Sequence, residues 1–197
     1  MDDKVLVNIR GCNGSGKSTI PLSMMNDSGM CVETLYSSDG DKIVSFTVFP
    51  AYGWVALGTY FNKTGGLDTV KSIEHTKLAL NAALCIYPEY DLLMEGILCS
   101  TTYSSYADIF HYVESTYKRK VIVLSLMPPV EKAIQRVYKR NGGKQVKNEL
   151  IEAKWGMVYR SHQKFKNAGF CTVKVDSSKV TKEQMLPSFL KTINKYR

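Results

Sequence analysis

The stretch "VNIRGCNGSGKSTI", residues 7–20, decides the fold. Gly11 to Ser18 spell G-x-x-x-x-G-K-S, and the context around them is the one this motif requires. Before it stands the short apolar run "KVLVNI" (4–9), the pattern of a buried parallel strand. After it "KSTIPLSMMND" (17–27) reads as a helix, with Pro21 tolerated in the first turn. Strand, glycine loop and helix in this order make a phosphate cradle. Glycines let backbone N–H groups turn inward around phosphate oxygens, and the helix N-terminus adds positive potential. The nucleotide-binding run is therefore expected to be Gly11, Cys12, Asn13, Gly14, Ser15, Gly16, Lys17, Ser18 and Thr19. Lys17 is expected to reach the terminal phosphates of a nucleoside triphosphate and Ser18 to ligate Mg²⁺, with Cys12 as filler within the loop.

Outward from the loop, strands and helices alternate. "CVETLY" (31–36) and "KIVSFTVF" (42–49) are expected strands joined by the turn "SSDGD", and "GWVALGTY" (53–60) is another. Residues 68–87 carry Val70, Ile73, Leu80 and Leu84 at helical spacing, with Asp68 as the expected N-cap. "YDLLME" (90–95) reads as a central strand ending in an acid, followed by Gly96 and a Ser/Thr-rich loop. "YADIFHYVESTYK" (106–118) is helical, "KVIVLSL" (120–126) a buried strand, and "PPVEKAIQRVYKR" (128–140) an amphipathic helix that begins with prolines. Residues 148–167 place Ile151, Trp155, Val158, His162 and Phe165 near one stripe. "FCTVKV" (170–175) is a last strand, and a terminal helix interrupted at Pro187 follows. The expected fold is α/β: a three-layer P-loop NTPase fold with a mainly parallel sheet, of nucleoside- or nucleotide-kinase type, in one domain over 1–197.

With 197 residues, 44% of them hydrophobic and 22% charged, the chain has an ordinary globular balance in one domain's length. Its N-terminus has no basic head and apolar stretch of a secretory signal, and no run is long enough to span a membrane, so a cytoplasmic setting is expected. Cys12, Cys31, Cys85, Cys99 and Cys171 are odd in number and scattered, and His75, His111 and His162 have no partner ligand at metal spacing. Neither a disulfide framework nor a structural metal is expected. Net charge is +8, unevenly spread. Residues 1–110 carry 7 Lys/Arg against 12 Asp/Glu, and residues 111–197 carry 19 against 6. A polyanionic partner near the second part is one reading of that asymmetry, and solvated helix faces are the other.

Several P-loop classes are set aside by what is missing. "FNKTGG" holds Asn62 and Lys63 without the Asp of a guanine-reading NKxD motif, which disfavours a GTPase switch, and the chain is short for a helicase or transporter ATPase. A small phosphotransferase remains. It needs a carboxylate at the sheet's carboxyl edge, to orient Mg²⁺ or take the acceptor's proton. Glu95 fits that place and Asp39 is the second candidate. Arg136 and Arg140, four apart on one helix face, with "NGGKQVK" beyond them, make a basic lid over about 136–148, to which Arg160 adds from the next helix. In "GTYFNKTGGLDT" (58–69), Tyr60 is a candidate to stack on an acceptor base, Gly65 and Gly66 permit close approach, and Asp68 completes the candidate acceptor set.

Together "RGCNGSGKST", "GTYFNKTGGLDT", "LLMEG" and the Arg136/Arg140 helix resemble the 5-hydroxymethyluracil DNA kinases of bacteriophages, P-loop kinases related in fold to thymidylate kinase. The resemblance implies ATP-dependent phosphorylation of the hydroxymethyl group of a modified base in DNA, a step toward thymidine hypermodification of a phage genome. It also implies a DNA partner. Asn13 stands where thymidylate kinases commonly carry an acid, and no Asp-Arg-Tyr-type motif follows a central strand. A metabolic kinase of small nucleosides or nucleotides and a DNA-binding NTPase without transfer are the alternatives to be separated.

Overall fold

The computed structural model describes residues 4–36, 40, 42–61, 65–144 and 146–197. Asp39, the second candidate base, lies outside the described residues. Among them seven strands form one sheet: β1 (Val5–Arg10), β2 (Cys31–Tyr36), β3 (Lys42–Phe49), β4 (Trp54–Leu57), β5 (Asp91–Glu95), β6 (Lys120–Leu126) and β7 (Cys171–Val175). Their order across the sheet is β2-β3-β4-β5-β1-β6-β7. The five strands from β4 to β7 run parallel, while β3 pairs antiparallel with both β4 and β2. The α/β expectation with a mainly parallel sheet holds.

Among the described residues seven α-helices accompany the sheet: α1 (Thr19–Ser28), α2 (Ile73–Ile86), α3 (Ile97–Thr101), α4 (Ser104–Tyr117), α5 (Val130–Arg140), α6 (Asn148–Asn167) and α7 (Met185–Tyr196). Period-two alternation along β1 assigns its faces. Val5, Val7 and Ile9 pack with Ile20 and Met24 of α1 and with Leu186 and Phe189 of α7. Leu6 packs on the other side with Leu80 of α2, Phe110 of α4 and Phe165 of α6. The result is helix, sheet, helix, the three layers expected. A smaller cluster of Cys12, Ala133, Val137 and Ile151 seats α5 and α6 beside the loop.

Three expectations change. Asp68 does not cap α2: that place belongs to Ser72, whose side chain accepts from His75 N. Residues Leu67–Thr69 form a 3-10 turn, and Asp68 Oδ1 instead accepts from Ile97 N at 2.8 Å, steadying the start of α3. The Ser/Thr-rich segment after Gly96 is this short helix and not an open loop. Pro187 does not interrupt α7, because it sits in the first turn, where an amide has no intrahelical acceptor to lose.

The sheet order places the site. After β1 the chain builds strands on one side and then returns to the other, so β5 and β6 flank β1. A crevice opens at the carboxyl ends of the strands at such a switch point. Register pairs Ile9 with Glu95, which levels that carboxylate with the last residues before the glycine loop.

Candidate active site

A cavity of about 930 Å³ lies at this edge. Its lining includes Cys12, Asn13, Gly14, Gly16, Lys17, Ser18 and Thr19 of the loop, then Gly65, Asp68 and Glu95, and finally Arg136 and Arg140. Residues from 12 to 140 in the sequence thus converge on one space.

The loop is shaped for an anion. Gly14 has φ +79°, and a Cβ there would lie 2.3 Å from the Ala133 carbonyl oxygen, so glycine is required twice over. The turn is closed by Ser15 N to Cys12 O and Thr19 N to Gly16 O. The amides of Gly14, Gly16, Lys17 and Ser18 have no backbone partner among the described residues. Lys17, 7% exposed, donates to the carbonyls of Gly11 at 2.9 Å and Cys12 at 3.2 Å. A buried ammonium held by neutral carbonyls, beside amides without acceptors, is a site that a polyphosphate completes. Cys12 is itself buried, and burial pushes its thiol up, in keeping with a packing role.

Glu95 is 1% exposed, and its Oε1 accepts from Ser18 Oγ at 3.1 Å. Burial pushes this carboxyl up to about 7, against the pull of Lys17 toward the charged form. Magnesium fits Ser18: its hydroxyl is a hard oxygen donor, and such an ion takes its remaining ligands from phosphates and water. No group of three or more His, Cys, Asp or Glu able to hold a metal occurs among the described residues, and a phosphate-bound ion does not need one.

Gly66 is the close neighbour of that carboxylate. Its φ is +59°, and a Cβ would fall 2.4 Å from Glu95 O and 2.7 Å from Glu95 Oε1. Residues 59 and 66 pair as an isolated antiparallel bridge. Gly65 lies over the Tyr60 ring, with a hypothetical Cβ 2.8 Å from Tyr60 Cδ1. Tyr60 is consequently only 4% exposed, and here it presents no open face for stacking. Its hydroxyl has no hydrogen-bond geometry with a described residue, and burial followed by the Glu95 charge pushes it well up. Tyr60 packs into the core near Glu95 and does not line the cavity.

The two arginines differ. Arg136 donates to Gly14 O at 3.3 Å and to Ser177 O at 2.9 Å, and Ser177 Oγ in turn donates to Ser15 O at 2.7 Å. Arg136 thereby ties the glycine loop to the segment after β7. Arg140 is exposed and lines the cavity. Arg160 is not among the lining residues; Lys154 of the same helix is. The sequence held the signal, since Lys154 is three beyond Ile151 and four before Val158 and so borders the buried stripe. Ser177 was missed as well, and its hint was position alone, just past a strand's carboxyl end.

A glycine-loop lysine, a serine and a buried carboxylate around one cavity, on this sheet, make the architecture of the P-loop kinase class. In fold the chain is similar to the YorR protein of Bacillus subtilis in complex with phosphorylated GDP, with TM-score 0.56, 12% identity and 96% of each chain covered. A family profile described as 5-hmdU DNA kinase matches residues 3–187, and the chain belongs to this family. It is 42% identical over 196 residues to a 5-hmdU DNA kinase of Bacillus phage SP10, covering 97% of this chain and 30% of that protein. With 5-hmdU DNA kinase 1 of Salmonella phage ViI it shares 33% identity over 187 residues, 92% of this chain and 81% of that one. No described helix is long and apolar enough to cross a membrane.

Proposed function

We propose that this chain transfers the γ-phosphoryl group of ATP to the hydroxymethyl oxygen of 5-hydroxymethyluracil in DNA, in the cytoplasm of a phage-infected cell. Family membership supports the reaction, and the observation that carries it is the 3.1 Å contact between Ser18 Oγ and Glu95 Oε1. That contact joins the donor loop to the one buried carboxylate of the cavity wall.

In this reading Glu95 takes the hydroxymethyl proton as the oxygen forms its bond to phosphorus and the bond to the leaving ADP oxygen breaks. A carboxyl poised near neutrality by burial suits a general base, because its charged form is reactive and still populated. Lys17 leaves its loop carbonyls for the phosphates, Arg140 stabilises their charge, and the whole chain acts as one kinase unit with 136–148 as its lid. Magnesium, when bound at Ser18 and the phosphates, neutralises charge on the transferred group. Gly65, Gly66 and Asp68 bound the acceptor side. The excess of 19 Lys/Arg over 6 Asp/Glu in residues 111–197 is the footprint of a polyanionic acceptor.

Incubation with γ-labelled ATP and either DNA containing the modified base or a panel of free nucleosides and nucleotides tests the reading. Label in the DNA is expected. Label in the monomers alone would assign a metabolic kinase, and phosphate release stimulated by unmodified DNA without labelled product would assign an NTPase.

A further inference from the structure

The cavity is the size of a pocket for one or two small ligands, and Glu95 is 1% exposed within it. A duplex cannot enter such a space, so a base reaching Glu95 must first leave the stack. The gap it leaves costs stacking on both sides, and proteins offset such a cost with an apolar side chain inserted into the step.

One exposed apolar residue directly follows a residue of the cavity lining. Ile97 lines the cavity, and the next residue, Leu98, is 64% exposed. It is carried by α3, only five residues long, which is braced far beyond what so short a helix requires. Asp68 Oδ1 accepts from Ile97 N at one end. At the other, Arg10 donates to the carbonyls of Ser100 at 3.2 Å and Thr102 at 2.8 Å. Arg10 is fully buried, lies over the Phe165 ring at 4.6 Å, and reaches Ser161 of α6 at 2.8 Å. Ser100 Oγ accepts from Gly11 N, so the same short helix is fixed to the first residue of the glycine loop.

Burying a guanidinium among neutral acceptors is costly, and the helix it steadies displays a leucine to water. Stability alone does not ask for this. A stiff mount for a side chain that must push bases apart does. The basic residues Arg140, Lys144, Lys147 and Lys154 lie on α5, on α6 or between them, and α6 is the helix that Arg10 ties to α3. Phosphates on either side of an opened step would meet that charge.

Resting on the proposed DNA acceptor, we propose that Leu98 is a wedge that enters the base stack of duplex DNA as the acceptor nucleotide turns out into the cavity. Arg10 and Asp68 act through it as positioning residues.

The test compares wild type, Leu98→Ala and Leu98→Phe on two oligonucleotides with the same modified base, one duplex and one single-stranded. Ile86→Ala, at the last residue of α2, 52% exposed and outside the cavity lining, is the control. Leu98→Ala is expected to lose roughly tenfold or more in kcat/KM on the duplex and little on the single strand, which has no step to open. Leu98→Phe retains duplex activity, and Ile86→Ala matches wild type on both. With 2-aminopurine next to the modified base, fluorescence rises on binding of wild type to the duplex and rises less with Leu98→Ala. Equal activity of wild type and Leu98→Ala on the duplex overturns the wedge and leaves the DNA kinase reading standing. An equal loss on both substrates overturns it too, as it would mark a general role for the residue. Wild-type label in free nucleotides and in neither DNA removes the acceptor reading, and the wedge with it.

Discussion

Ser18 and Glu95 are 77 residues apart in the chain and 3.1 Å apart at the cavity wall, one opening the helix after the glycine loop and the other ending a neighbouring strand. Hydrogen bonding to Ser18 favours the charged carboxylate, and burial opposes it more strongly. Burial thus pushes the carboxyl up to about 7, and with Glu95 as the proposed base this bears on both activity and stability.

For Glu95→Gln, transfer is expected to fall by roughly 10² to 10⁴, the usual worth of a general base. Stability should move the other way, with a pH dependence whose sign is fixed. A carboxyl raised from 4.5 to about 7 favours the folded state while protonated, and that advantage is lost as pH rises from about 4.5 through 7. At pH 8 the wild type bears the whole cost of a buried charge, about 3 kcal/mol at most, and the amide removes it. Denaturant melts should find the variant more stable at pH 8, with the gain shrinking toward pH 5. A gain independent of pH would contradict this origin.

The wild-type pH profile follows from the same group. The kcat/KM of the free enzyme should rise with pH through an apparent pKa near 7, as Glu95 loses its proton. In Glu95→Gln that limb should be absent from whatever activity remains.

Lys17→Ala separates binding chemistry from folding. The side chain's described hydrogen bonds go to two loop carbonyls and it spans no elements of the core, so circular dichroism and the melting curve should change little. Transfer should drop by roughly 10² or more, from lost stabilisation of the phosphates. Retained transfer would refute the loop's assignment.

Gly66→Ala should damage the site through backbone and sterics together. The residue has φ +59°, and a methyl would stand 2.4 Å from Glu95 O. A cost of roughly 1 to 3 kcal/mol in stability is expected, with loss of transfer as Glu95 is displaced. Gly53→Ala is the comparison: its φ is +66° with open space around it, so it should show the backbone cost without the loss of activity.

Arg136 and Arg140 should behave differently although one helix turn separates them. Arg136→Ala removes the tie among Gly14, Ser177 and the helix, lowering the melting temperature and weakening nucleotide binding. Arg140→Ala should leave the melting temperature unchanged and lower kcat, measured at saturating ATP.

Much of the molecule was legible because its signals are local. The glycine loop with its flanking strand and helix, the apolar runs of β1, β5 and β6, and the 148–167 helix with its stripe all depend on neighbours within a few residues. The place of Glu95 at the carboxyl end of β5, beside the cavity, was legible too, since a final acid of a strand in an α/β protein falls at that edge. What mislead were residues whose partner is distant. Asp68 has the composition of a cap, and it caps a helix 29 residues away. Tyr60 has the chemistry of a stacking platform, and Gly65 covers it.

The sequence by itself determined the cradle, the layer order and the placing of positive charge in the second part of the chain, because spacing, periodicity and composition are written along the backbone. Only the tertiary structure decided that Glu95 is buried against Ser18, that Arg136 serves the loop while Arg140 faces the cavity, and that Lys154 and not Arg160 joins it. Burial and hydrogen-bond partnership depend on which strand ends become neighbours when the sheet is ordered β5-β1-β6, and no window of sequence contains that order.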